Sequence, residues 1–297
     1  MSGAPYAVPG DGCNVGRNTD AVPVSVIVPV KNEAHHLERC LSSVRWADEM
    51  FVVDSQSTDD TVGIAERARA RVVQFRYQGS WPKKKNWALE TLPFRNDWVL
   101  LLDADEVLSP DAEMEIRRAV SWGPSSVRGY WINRRFLFMN RWLKHAYYPN
   151  WNLRLFQHQF GRFERLTSAE TESGDVEIHE HVVVDGATAR LACEMDHYAF
   201  PTVSAFVEKH NRYSSWEAHV AVDPSAAVSR GPSRFRSRIR YWTRHVPCRP
   251  LLRFLYVYVW QRAFLDGREG YYFARLHGLY EFLSVAKTYE LQHRRSK

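Results

Sequence analysis

The chain has 297 residues, 45% of them hydrophobic, and a formal net charge of +6 at pH 7. That length accommodates one large catalytic domain with an appendage and a sizeable core. The four cysteines, Cys13, Cys40, Cys193 and Cys248, lack paired spacing, which points to free thiols in a reducing compartment rather than a disulfide framework.

Residues 1–21 are rich in Gly, Pro, Asn and Asp, lack a basic-then-apolar leader, and read as a disordered tail. Residues 24–30 (VSVIVPV) form a short, continuous apolar run that suits a strand buried on both faces, followed by Lys31-Asn32-Glu33. Leu37, Leu41 and Val44 then recur at helical spacing. A second strand at 50–53 (MFVV) leads into the polar run Asp54 to Asp60, and Ile64, Ala65 and Ala68 mark a helix from Thr61 to Ala70 that Thr58 or Asp59 can cap. Residues 98–106 (WVLLLDADE) deliver Asp103 and Asp105 at the end of a third apolar strand. Strand, helix, strand, helix implies right-handed βαβ units and a parallel sheet, with three polar clusters converging on one edge where a nucleotide docks. Paired carboxylates there are hard oxygen ligands for Mg²⁺ or Mn²⁺, although Asp-x-Asp alone also describes a solvated turn. No G-x-G-x-x-G or Walker-type loop occurs, which argues against NAD(P) enzymes and P-loop kinases.

Residues 126–165 interleave Trp131, Phe136, Phe138, Trp142, Tyr147, Tyr148 and Trp151 with Arg134, Arg135, Arg141, Lys144 and Arg154. Aromatic faces stack on sugars and arginines grip phosphates, so the stretch suits a glycan or glycolipid acceptor, though single-stranded nucleic acid and a simple core fit the same composition. Asn152 to Phe156 reads as a strand that turns Arg154 to a diphosphate. Val176 to Val184 alternates as another strand. His179 and His181 lie on one face of it, but Val183 stands where a helical H-E-x-x-H motif needs its second His.

Between Pro224 and Leu265 there is no acid, while arginines run from Arg230 to Arg262 among Trp242, Phe254, Leu255, Tyr256, Tyr258 and Trp260. Such a segment lies on anionic lipid, or forms a helical domain with a basic solvated face. Its longest uncharged apolar run, Phe254 to Trp260, is far shorter than the roughly 20 residues that span a bilayer. Pro247 and Pro250 break it into helices, and Gly267 and Gly270 separate a last helix at about Tyr271 to Gln292.

Taken together, VSVIVPVKNE, FVVDSQSTDDT, KKKNWAL and WVLLLDADE resemble the inverting glycosyltransferases of family 2, and within them the bacterial branch that builds lipopolysaccharide core and exopolysaccharide. The likeness covers roughly residues 22–125 and continues more weakly near 178–181 and in KHNRYSSWEA at 209–218. It implies an α/β fold of GT-A type, a Rossmann-like, mostly parallel sheet flanked by helices with a C-terminal helical appendage. The implied organisation is a tail (1–21), a catalytic domain (22–200) with nucleotide (22–125) and acceptor (126–200) halves, and a basic, membrane-associated helical region (201–297).

The resemblance also implies site residues. Pro29, Asn32 and Glu33 line the nucleoside pocket, Asp54 accepts from the base with Ser57 beside it, and one of Lys83, Lys84 and Lys85 approaches base or diphosphate. For Glu33 and Asp54, helix capping or pairing with a helix dipole is the plainer alternative, and for the lysines a solvated face. Asp103 holds the ribose or a metal-bound water, Asp105 ligates Mn²⁺ or Mg²⁺, and His197 joins the metal shell or is a packed histidine. Glu180, in the pair His179-Glu180, is the implied base that deprotonates the acceptor; the commoner family pair is Glu-Asp, and Glu177, Glu172 and Asp175 compete. The implied partners are a nucleoside-diphosphate sugar (UDP by family default, with GDP, ADP and dTDP open), a lipid-linked or glycan acceptor and an anionic membrane surface, with no nucleic acid expected. The implied location is cytoplasmic, peripheral at the inner face of the membrane. A nucleotidyltransferase and a non-catalytic membrane or nucleic-acid binding protein are the rival readings.

Overall fold

The computed structural model describes residues 20–79, 82–164, 181–222 and 248–295. The apolar runs form β1 (Val22–Val30), β2 (Ala47–Asp54) and β4 (Trp98–Leu101), with β3 (Arg71–Gln74) at the edge. Their continuous hydrophobicity has the expected cause. Val26 and Val28 of β1 enter one core with Leu37 and Leu41 of helix α1 (Ala34–Ser42), and Ile27 enters another with Ala88 and Leu89 of α3 (Lys84–Thr91). Helices α2 (Thr61–Arg67) and α4 (Ala112–Trp122) add Ala65 and Ile116 to the first core.

The remaining strands are β5 (Glu106–Leu108), β6 (Val127–Phe138), β7 (Arg141–Trp142), β8 (Trp151–Gln157), β9 (Gly161–Phe163), β10 (Val182–Val184) and β11 (Ala187–Phe200). The main sheet runs β3-β2-β1-β4-β8-β6-β11-β5, with β7 on β6 and a separate β9–β10 ladder. Pairing is parallel from β3 to β4 and between β6 and β11; β8 pairs antiparallel with both β4 and β6, so the sheet as a whole is mixed. The chain leaves β1 toward β2 and β3 and returns to β4 on the other side, which makes the β1/β4 boundary the topological switch point. Of the strand expected over Val176 to Val184, the described part is β10.

Helices α5 (Val203–Val222), α6 (Arg249–Leu255) and α7 (Gly267–Arg295) pack on the far end of the sheet. Phe206, Val257 and Phe273 share a third core with Phe136, Phe138 and Phe200 of β6 and β11. Two sequence expectations change. Pro250 lies in the first turn of α6, where a missing N–H costs nothing, so it starts a helix rather than breaking one. Gly270 lies inside α7 rather than before it: a Cβ there would stand 1.9 Å from the Ala263 carbonyl oxygen, so the close approach of the two segments requires glycine. Cys40, Cys193 and Cys248 are free, as their spacing predicts. Most of the expected 1–21 tail and the arginines from Arg230 to Arg244 lie outside the described residues.

Candidate active site

The turns after β1 and β2 are sewn together. Asn32, at φ 56°, accepts at Oδ1 from Thr58 N (2.8 Å) and donates its own N–H to Ser57 Oγ (2.8 Å). Glu33 N donates to Thr61 Oγ1 (2.8 Å) and Ala34 N to Asp59 Oδ2 (3.1 Å), while Asp59 Oδ1 accepts from Thr61 N (3.1 Å). Asp54, fully buried, accepts from the Ser57 backbone (3.1 Å), the Ser57 hydroxyl (2.5 Å) and Gln74 Nε2 (2.9 Å). Asp54 and Ser57 thus already satisfy each other. Pro29 pairs with Val53, two residues beyond the last β1–β4 pair, Ile27 and Leu101, so its missing N–H interrupts no bond to β4.

At the switch point the chain bends sharply after Leu102. Glu106 N donates to Asp103 O (2.9 Å), and Asp103 N donates to Glu106 Oε2 (3.1 Å). The β6–β8 register slips at Arg154, freeing its guanidinium to bridge Asp103 Oδ2 (2.6 Å) and Glu106 Oε1 (2.5 Å). Arg134 Nη1 adds a contact to Glu106 Oε1 (3.3 Å) and Lys85 Nζ one to Asp103 Oδ1 (3.2 Å). Burial alone would raise the Asp103 carboxyl; Arg154, then Lys85, hold it well below the usual carboxylate range. Arg154, expected to face a diphosphate, is therefore engaged with these two acids, and it positions them. The lysine run is not a solvated face. Lys83, Lys84 and Lys85 are all buried, Lys84 donates to the Val30 carbonyl (2.9 Å), and Lys83 lies over Tyr77.

Asp105 faces His197 of β11, Oδ2 to Nε2 at 3.3 Å, and its carbonyl accepts from Tyr198 N (2.8 Å). Against the upward pull of burial, His197 and then Lys209 hold the Asp105 carboxyl low. Burial, followed by Arg134, pulls His197 below its ordinary value, leaving an uncharged imidazole at neutral pH. Lys209 reaches in from α5 above the Phe200 ring; burial opposes its charge, but Asp105, Asp103 and Glu33 raise its pKa. Glu33 is pushed up to about 7, by burial first and then by Asp105.

Among the described residues no group of three or more His, Cys, Asp or Glu is arranged to hold a metal. The Asp105–His197 pair nevertheless fits a divalent cation. Two ligand atoms at about 2.1 Å on adjacent octahedral vertices stand about 3 Å apart, and such ions take their other ligands from water and phosphate.

Asp103, Asp105, His197, Glu33 and Lys85 thus meet at one place, with Asn32, Asp54 and Ser57 in the adjoining turns. Glu180 and its competitors Glu172, Asp175 and Glu177 lie outside the described residues. Two participants carried no assignment from sequence. Glu106 stands in the same Asp-Ala-Asp-Glu turn and could have been read there, whereas Lys209, about a hundred positions away, opens the KHNRYSSWEA segment noted for its weaker likeness but was given no role in it.

Comparison with known proteins identifies the family. Residues 25–169 match the family described as "Glycosyl transferase family 2". An uncharacterized glycosyltransferase of Rickettsia felis is 30% identical over 270 residues, 90% of this chain and 89% of the relative. A lipopolysaccharide core biosynthesis glycosyltransferase of Rhizobium meliloti is 25% identical over 91% of this chain and 93% of its own length. Among solved structures, a mannosyltransferase from Pyrobaculum calidifontis in complex with GDP-Man and Mn²⁺ aligns over 94% of this chain and 90% of its own, at 16% identity and a TM-score of 0.46.

Proposed function

This chain belongs to glycosyltransferase family 2 and acts on nucleotide sugars, and from that premise we propose that it transfers a sugar with inversion to a hydroxyl of a lipid-linked or cell-envelope saccharide. The observation that carries the reading is the convergence of Asp105, His197, Asp103 and Lys209 at the β1/β4 switch point. UDP is the proposed donor nucleotide. The similarity to a lipopolysaccharide core enzyme over nearly the whole chain supports the acceptor class.

In this reading Glu33 and the Asn32–Ser57 turn hold the nucleoside. Asp105 and His197 hold a divalent cation, with Mn²⁺ better suited than Mg²⁺ to a set that includes imidazole. When bound, the cation offsets charge on the departing diphosphate. Lys209 supplies a second positive charge from the other side. Asp103, fixed by Arg154 and Lys85, orients the ribose. Glu180 removes the proton from the attacking hydroxyl, so that one carboxylate on the acceptor side gives single displacement and inversion.

The test combines nucleotide binding with product analysis. A panel of UDP, GDP, ADP and dTDP is scored by thermal shift with Mn²⁺, with Mg²⁺ and with chelator; a hundredfold excess over the dissociation constant raises stability by about 2.7 kcal/mol. One nucleotide should shift the protein in a metal-dependent way, and turnover should release the nucleoside diphosphate with inverted anomeric configuration. Release of inorganic diphosphate would instead make the chain a nucleotidyltransferase.

A further inference from the structure

The segment joining α6 to α7 exposes a row of large apolar side chains. Leu251, Leu252 and Leu255 lie open on α6. Val259 (56% exposed) and Trp260 (79%) follow on a π turn at Tyr256–Trp260, and Phe264 and Leu265 on a 3₁₀ turn at Ala263–Asp266. Tyr271 and Tyr272 continue the row onto α7. Four rings beside Trp260 are in contact: Phe254 stacks on Tyr258 at 5.2 Å, and Tyr258 meets both Phe264 (6.2 Å) and Tyr271 (5.8 Å). An exposed apolar patch of this kind marks a docking surface.

Its charge is one-sided. Arg262, Arg268 and Arg275 are exposed and form no ion pair among the described residues. The two acids of the segment are both engaged elsewhere. Asp266 is buried, accepting from the backbone N–H groups of Lys144 (2.9 Å), His145 (3.1 Å) and Ala146 (2.9 Å), and Glu269 pairs with Arg141 (2.8 Å). The same Asp266 contacts fasten the patch to the loop after β7, so it is held rigidly on the catalytic unit. Tryptophan, tyrosine and leucine bordered by unpaired arginine are the chemistry of the boundary between acyl chains and anionic headgroups. Among the described residues no helix is long and apolar enough to cross a membrane.

We propose that the α6–α7 turn, led by Trp260, Phe264 and Leu265 and flanked by Arg262 and Arg268, docks the protein on an anionic lipid surface. The proposal rests on the reading of a membrane-borne acceptor only for its purpose; the surface itself binds without acceptor.

The test is flotation of the full chain with vesicles of phosphatidylglycerol and phosphatidylcholine in equal parts, and with phosphatidylcholine alone. The wild type should float with the anionic vesicles only. The paired substitution Trp260→Ser and Phe264→Ser should lower the bound-to-free ratio about tenfold or more, and Arg262→Gln with Arg268→Gln should weaken binding in a salt-sensitive way, each with an unchanged nucleotide thermal shift. A wild type that stays in the soluble fraction, or serine variants that float equally well, overturns the proposal. So does a dimer that dissociates on the Trp260 and Phe264 substitutions, since a second copy would then cover the patch. Failure to float with sugar transfer to a soluble acceptor intact would remove the membrane surface and leave the proposed function standing.

Discussion

Asp105 Oδ2 and His197 Nε2 stand 3.3 Å apart where the β4–β5 turn runs into the antiparallel β5–β11 ladder, in which His197 is the partner of Glu106. Neither side chain needs the other for folding, because the turn is already closed by Glu106 N to Asp103 O and by Tyr198 N to Asp105 O. Asp105→Ala should therefore leave the melting temperature within a few degrees of wild type, abolish the chelator-sensitive nucleotide shift, and lower turnover by about 10²–10³-fold. Near-normal turnover with Mn²⁺ present would remove Asp105 from the metal site.

Arg154 belongs to a different class. It is buried against Asp103 and Glu106, and removing it leaves the buried Glu106 and the half-buried Asp103 without their main counter-charge. Arg154→Met should destabilise the fold by about 3–5 kcal/mol, measured by denaturant unfolding. Adding Glu106→Gln should recover part of that loss, a coupling expected of residues in direct contact. An additive double variant would mean the three groups do not act as a unit.

Lys209 tests whether positive charge opposite the Asp105–His197 pair matters to catalysis. Lys209→Met should weaken nucleoside diphosphate binding by roughly 10–100-fold, the scale of 1.4–2.8 kcal/mol, while Lys209→Arg should restore much of it. Loss of folding in both variants, with no recovery by arginine, would make Lys209 a packing residue.

The strands β1, β2 and β4 were legible because each is apolar on both faces, and α1 because Leu37 and Leu41 repeat at helical spacing. β6 was not read as a strand because Arg134 and Arg135 interrupt it. The structure gives the reason they are tolerated: neighbouring strand residues point to opposite faces, so Arg134 reaches Glu106 while Arg135 reaches Asp196 at 2.6 Å. The lysine run is ambiguous for a similar reason. Its partners, the Val30 carbonyl and Asp103, are distant in sequence, and no local pattern distinguishes a buried lysine from a solvated one. Local periodicity therefore located the strands whose carboxyl ends meet at the switch point, and long-range charge pairing supplied what it could not.

The helical core carries its own pH dependence. His277 of α7 is buried against Phe273, Phe206 and the Tyr147 ring, and burial, then Arg253 of α6 and His210 of α5, hold it well below its ordinary value. The unfolded chain takes up a proton near pH 6.5 where the folded chain does not. Below that pH the unfolded state binds more protons, so stability falls with decreasing pH by up to about 1.4 kcal/mol per unit, until the folded ring itself titrates. His277→Phe, an aromatic of similar reach, should flatten the acid limb of the melting temperature against pH by this one proton's share and leave the neutral region little changed. An identical acid limb in both proteins would show that His277 is charged in the fold.

Glu180 precedes β10 by two positions, and β10 is held to β9, whose Phe163 backbone is clamped on both sides by Asn86 of α3 (2.9 and 3.0 Å). As the proposed base, Glu180 is needed only when the acceptor hydroxyl attacks, so donor binding should be indifferent to its charge. Glu180→Gln should keep the metal-dependent nucleotide shift and lose transfer by about 10²–10⁴-fold. Parallel Gln or Asn variants of Glu172, Asp175 and Glu177 should retain activity. If Glu180→Gln keeps transfer while one of those loses it, the base is that residue; if all four keep it, the proton leaves by a group outside this segment.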